Sequence, residues 1–161
     1  MPNWCEGTLK VRGEFADVKR WVEENLSVYR TEIENGKRNQ IKDIDGVEVI
    51  DYDGEEIEVN VKETAHIKGT RRHFVQQGVY ITSGCAYYMV LCMKFKAAWE
   101  IDAEPFVEMS REYNVDFRLY GCERGEEFSQ EIIVKEGEIA DRSKTHYTDY
   151  VWDCPFPNLG G

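Results

Sequence analysis

The chain opens on a period of two. Between residues 3 and 12, Leu9 and Val11 alternate with Thr8, Lys10 and Arg12, which predicts a strand closed by Gly13. The period then lengthens to that of a helix. Phe15, Val18, Val22 and Leu26 fall on one face with Trp21 beside them, and Glu14 and Asp17 stand near the N-terminus, where the helix dipole favours negative charge. Residues 27–45 are polar, with a turn expected at Glu34-Asn35-Gly36-Lys37.

Residues 46–62 predict a hairpin around Asp53-Gly54, and its register follows from the apolar positions. A two-residue loop would set Val49 against Glu58 and Asp51 against Glu56. A three-residue loop, Asp53-Gly54-Glu55, pairs Val49 with Val59 and Val47 with Val61. The second gathers the valines on one face and is preferred; it sets Ile50 opposite Glu58 and Glu48 opposite Asn60 on the other.

Residues 63–78 are locally basic, with a short helix expected at Arg71–Gln77. Residues 79–82 and 86–96 predict a second hairpin turning at Ser83-Gly84. Its nearly continuous apolar run, Tyr87 to Met93, reads as a central strand buried on both faces. A second helix is expected over 103–113 with Asp102 as N-cap and Pro105 in the first turn. Strands follow at 115–120 and 129–135, and an extended aromatic tail runs from Tyr147 to Gly161.

Strand, helix, paired strands, helix and strand in that order predict an α+β fold. The expected architecture is a ferredoxin-like split β-α-β core with an inserted acidic hairpin and an appended C-terminal strand and tail. A length of 161 residues fits one domain. Residues 1–26 and 79–135 would form the core, 27–78 a divergent insertion and 136–161 a C-terminal extension.

Composition narrows the functional classes. A net charge of −11 argues against ordinary nucleic-acid binding, which draws on Lys and Arg, and against an anionic membrane surface. It suits a partner protein with a basic surface. The five cysteines include no C-x-x-C pair, and Cys5, Cys92 and Cys122 fall within apolar strand patterns, as expected of free thiols in a reducing compartment. The start of the chain has no basic segment followed by an apolar run, and no stretch has the ~18 apolar residues of a membrane span. A cytoplasmic protein is expected.

Three segments carry a family resemblance. Asn3-Trp4-Cys5-x-x-x-Leu9-x-Val11-x-Gly13 resembles the opening of the Api92-like family, also called the YubB ferredoxin-like domain. Phe95-x-Ala97-Ala98-Trp99 with Phe117-x-Leu119-Tyr120, and then Glu123-x-Gly125-x-x-Phe128, resemble its later strands and glycine loop. The order is that of the family. Gly7 stands where the family commonly has Asn, Ala97 replaces Thr, and residues 43–78 differ in kind. The resemblance implies a ferredoxin-like scaffold and an accessory protein of a phage or other mobile element. It implies no catalytic residues.

Candidate chemistry is sparse. A nucleophilic Cys5 would need a His partner and a lowered pKa, and its place on the first strand points to a structural thiol. His66, His73 and His146 lack metal-binding spacing, and Glu123, Glu126 and Glu127 occupy a loop tip with no cleft indicated. No glycine-rich nucleotide motif is present, so neither cofactor nor metal is expected. Trp4 and Trp99 could stack bases, but core packing is the expectation for both. The most suggestive surface is the acidic run Asp43, Asp45, Glu48, Asp51, Asp53, Glu55, Glu56 and Glu58, a span without Lys or Arg. The expected function is therefore non-enzymatic: binding of a host or viral protein with a basic surface, such as a nucleic-acid-binding defence protein. One alternative is a nucleic-acid-binding module using Lys62, Lys68, Arg71 and Arg72. Another is an enzyme using Glu123 or a His. An exposed edge at 129–135 would allow a strand-paired homodimer.

Overall fold

The computed structural model describes residues 2–76 and 88–161 in full and the backbone of residues 77–85. Among these residues the chain forms β1 (Trp4–Gly13), α1 (Phe15–Asn25), β2 (Leu26–Glu34), β3 (Lys37–Asp43), β4 (Val47–Tyr52), β5 (Glu56–Val61) and β6 (Thr64–Ile67). It continues with β7 (His73–Cys85), β8 (Tyr88–Ala98), α2 (Glu104–Tyr113), β9 (Asp116–Glu123), β10 (Phe128–Lys135), β11 (Glu138–His146) and α3 (Tyr150–Asp153).

Nine strands make one antiparallel sheet in the order β11-β10-β9-β1-β8-β7-β6-β2-β3, and β4-β5 stand as a separate hairpin. The fold is mostly β. This corrects the expected α+β fold with a ferredoxin-like split β-α-β core. The difference lies in segments whose polarity hides their strand character. β2 beyond Val28, β3 up to Lys42 and all of β11 are exposed on both faces, so no apolar alternation marks them.

Other expectations are corrected locally. Residues 73–76 are strand, not helix: His73 and Val75 are buried while Phe74 and Gln76 are half-buried, a period of two. β7 runs through Ser83-Gly84 to Cys85, and the expected second strand's first residues, Ala86 and Tyr87, lie outside the described residues. β8 is not buried on both faces. Met89, Leu91, Met93, Phe95 and Ala97 are buried, and the residues between them reach solvent. The segment 129–135 is no edge, because β10 pairs with both β9 and β11. The free edges are β3 and β11. Lys37, Arg38 and Lys42 protect the first against further pairing.

The β4-β5 register agrees with the expected three-residue loop: Val47 faces Val61, Val49 faces Val59, Ile50 faces Glu58 and Glu48 faces Asn60. The turn at Asn35-Gly36 is also present between β2 and β3, both residues having positive φ.

The core lies on one side of the sheet. Leu9 and Val11 of β1, Met93 and Phe95 of β8, and Phe117 and Leu119 of β9 are buried there under α1 and α2. Trp21 and Phe106 each meet Phe117 edge-to-face, with centroids 5.4 and 5.3 Å away. Ile57, Val59 and Val61 of β5 extend this layer over β7. β1 and β9 approach closely at Gly7, where a Cβ would collide with the Tyr120 carbonyl oxygen. All described helices and the β4-β5 hairpin except α3 therefore sit on one side, leaving much of the other face of the central strands open. Among the described residues no helix is long and apolar enough to cross a membrane.

Candidate nucleic-acid interface

Strand alternation decides what the open face carries. Leu9 and Val11 point into the core, so Thr8, Lys10 and Arg12 point away from it. The same logic on β8 turns Lys94 and Lys96 outward with Cys92 and Val90. Pairing then lines residues up across the sheet. Glu6 lies opposite Lys96, Lys96 opposite Phe74, Phe74 opposite His66, and His66 opposite Ser27.

An aromatic row crosses this face. Trp4 meets Phe74 edge-to-face at 5.9 Å between centroids, Phe74 meets His66 at 5.5 Å, and His66 meets Tyr29 at 6.4 Å. Four strands, β1, β7, β6 and β2, supply one ring each. Two cations rest against its Trp end: the Lys96 Nζ lies 4.8 Å and the Arg72 Cζ 5.6 Å from the Trp4 ring centroid. Trp4 is half-buried here and Trp99 is 57% exposed in a positive-φ turn, which corrects the expectation of core packing for both.

The same face collects positive charge in an acidic chain. Arg12 is paired with Asp116 and Arg118 with Glu131. Among the described residues, Lys10, Arg72, Lys94, Lys96 and Lys135 have no carboxylate partner. Lys10, Arg12, Arg118 and Lys135 line a groove of about 280 Å³ that crosses β1, β9 and β10. A second groove of about 430 Å³ joins Lys10 and Arg118 to Tyr120, Pro155 and Phe156.

The C-terminal segment, residues 147–161, borders the strip like a strap. Phe156 packs edge-to-face on Tyr120 at 6.0 Å, and the Tyr147 and Ser129 hydroxyls lie 2.7 Å apart. The Gly161 N–H donates to the Trp4 carbonyl (3.1 Å) and the Gly160 N–H to the Glu6 carboxylate (3.3 Å). Glu6, on the same face of β1 as Trp4, is thereby engaged.

The expected acidic surface comes together only in part. Glu48, Glu56 and Glu58 share the outer face of the β4-β5 hairpin, where Glu58 accepts from the Tyr52 hydroxyl (2.8 Å). Asp51 falls on the other face and bonds Lys19 of α1 (3.0 Å). The Gly54 N–H and then Lys19 hold its carboxyl below the usual range. Asp53 and Glu55 occupy the exposed turn, Asp45 is exposed, and Asp43 pairs with Lys62 at 3.5 Å. The hairpin and the open strip lie on opposite sides of the sheet, so the acidic run and the unpaired cations are kept apart.

Of the four cations expected to bind nucleic acid, Arg72 reaches the aromatic row, Lys62 is engaged by Asp43, and Lys68 and Arg71 are exposed in the β6-β7 connection. Lys10, Lys94, Lys96, Phe74 and Tyr29 were not anticipated. The signal was present in Met93-Lys94-Phe95-Lys96, where lysines alternate with apolar residues, but the continuous apolar run before it obscured the alternation.

The catalytic candidates are separated. Cys5 is buried on the helix side, and burial, with Cys122 and Glu123 nearby, pushes its thiol up to about 12. Both oxygens of the buried Glu123 carboxylate are occupied, accepting from the Gly125 and Glu126 N–H groups at 2.7 Å each. Glu126 and Glu127 point to solvent. His73 is buried against Phe95 and Phe106, and its Nε2 accepts from the Asp102 N–H (2.9 Å). Burial depresses its pKa to about 4. His66 joins the aromatic row, and His146 packs on Phe128 at the far edge. Among the described residues no cluster of three or more His, Cys, Asp or Glu side chains forms a metal-binding group.

No family model matches the chain, and no curated protein or solved structure matches it significantly.

Proposed function

We propose that this is a non-enzymatic binding protein whose open sheet face takes a single-stranded nucleic acid. One observation carries the reading: the Trp4–Phe74–His66–Tyr29 row shares a face with uncompensated Lys10, Arg72, Lys94 and Lys96, in a chain of net charge −11. Aromatic rings offer stacking surface to any base, and cations alongside follow the backbone. Lys10, Arg72, Lys94 and Lys96 on this face have no carboxylate partner among the described residues, and the acidic β4-β5 hairpin lies on the other side of the sheet. The setting proposed is the cytoplasm of a host cell, as an accessory protein of a phage or mobile element. The resemblance of the first strand supports that setting.

Fluorescence anisotropy with short labelled oligonucleotides at low salt tests the reading. Saturable binding to a single strand is expected, stronger than to blunt duplex. Tyr29→Ala should weaken it about 5- to 150-fold, the worth of one base stacked on a ring. Tyr29 is 48% exposed, so the change spares the core. Absence of binding at tens of micromolar protein would refute the proposal.

A second reading rests on Glu48, Glu56 and Glu58, which project together without an ion-pair partner among the described residues. This outer face would dock on a basic protein surface, such as the phosphate-binding groove of a host defence protein. Reversing Glu56 and Glu58 should abolish capture of such a partner, and undiminished capture would exclude the hairpin.

A further inference from the structure

The strap is anchored around a pair of thiols. Cys122 lies on β9 facing the strap, and Cys154 follows α3; their Sγ atoms are 3.6 Å apart and both side chains are buried. They are 32 positions apart in the chain. Tyr150 is buried with them, and Tyr120, Tyr147 and Leu159 close the cluster. This cluster is separate from the main core and is the apolar part of the strap's attachment. Cys5 lies on the helix side of the sheet, and Cys92 is on β8.

We propose that Cys122 and Cys154 are a redox modification site, joined by low-molecular-weight disulfides into an intramolecular bond that staples the strap to the sheet. The steps balance with glutathione disulfide as oxidant. The Cys154 thiol loses its proton and attacks one glutathione sulfur, forming a mixed disulfide and releasing one glutathione thiol. The Cys122 thiol loses its proton and attacks the Cys154 sulfur; the Cys122–Cys154 bond forms and the second glutathione leaves as a thiol. Two electrons and two protons pass to the oxidant. Burial holds the Cys122 thiol up at about 11, which slows its attack while the strap is docked. Because Pro155 and Phe156 form one wall of the larger groove, oxidation fixes that wall in place. The site does not depend on the nucleic-acid reading.

The test is incubation of the full chain with glutathione disulfide, alkylation, and peptide mass mapping without reductant. The expected product is a Cys122–Cys154 link lighter by two hydrogens, with the other cysteines alkylated. Limited proteolysis within residues 147–153 should slow several-fold on oxidation and recover with dithiothreitol. Cys154→Ser should be cleaved at one rate in both conditions. The proposal is overturned if Cys122 and Cys154 are alkylated after oxidation, if either is linked elsewhere, or if strap cleavage is unchanged in the linked wild-type protein.

Discussion

Neutralising Lys94 and Lys96 should change how nucleic-acid affinity responds to salt, by an amount set by the charges on the open face. Four uncompensated cations share the face of the aromatic row: Lys10, Arg72, Lys94 and Lys96. For a single strand, each neutralised phosphate contributes about −0.7 to the slope of log K against log salt, so four contacts give about −2.8. Between 50 and 200 mM salt the wild-type affinity then falls roughly 50-fold. Lys94→Gln/Lys96→Gln leaves two contacts, a slope of about −1.4 and a fall of roughly 7-fold over the same range. The assay is anisotropy titration of a labelled oligonucleotide at several salt concentrations, with urea unfolding to verify that stability moves by less than about 0.5 kcal/mol. Lys94 is exposed and Lys96 half-buried, and neither makes an ion pair among the described residues, so the fold should tolerate both changes. Equal slopes in the two proteins would refute the placement of phosphates along β8, even if both proteins bind. A Lys62→Gln change should leave the slope unaltered, because Asp43 already compensates that charge.

Three further predictions concern the fold. The His73 pKa falls from 6.5 to about 4 on burial, so the unfolded chain binds the extra proton between those values and stability declines as pH drops through that window. The loss between pH 7 and pH 5 should be roughly 2 kcal/mol in urea melts, and His73→Gln should remove it. Gly7→Ala should destabilise by about 1–3 kcal/mol or more, because its Cβ would meet the Tyr120 backbone, whereas the same change at Gly36 meets no neighbour and costs only its left-handed backbone strain. Glu123→Gln replaces one of two carboxylate oxygens holding the Gly125 and Glu126 N–H groups; a loss of about 1.5–3 kcal/mol is expected in thermal or urea unfolding.

The elements that periodicity reveals are those with one buried face. α1 and α2, β1 and the β4-β5 register could all be read, because Val18 and Val22, Leu9 and Val11, or Val49 and Val59 must share a side to leave water. The expected strand at 129–135 matches β10, whose Ile132 and Val134 are buried. β11 and the outer part of β2-β3 bury no face, so their pairing is set by backbone hydrogen bonds to a neighbouring strand and leaves no hydrophobic trace. Periodicity alone therefore predicts a small α+β core where the chain builds a nine-stranded sheet. At the candidate site, Arg72 and His66 were recognisable as basic or titratable residues, but their common face with Trp4 and Tyr29 was not.

The linear chain by itself determined the acidity, the turn at Asn35-Gly36 and the apolar faces that must be buried, since each follows from side-chain chemistry or local sterics. Tertiary structure alone decided which strands are neighbours. Strand order brings residues 70 positions apart into contact, as at Trp4 and Phe74 across β8, assembles the aromatic row, sends the carboxylate hairpin to the opposite side, and brings Cys154 beside Cys122. Such coincidences rest on non-local pairing, which is favourable only once the whole sheet is formed and which no short window of sequence encodes.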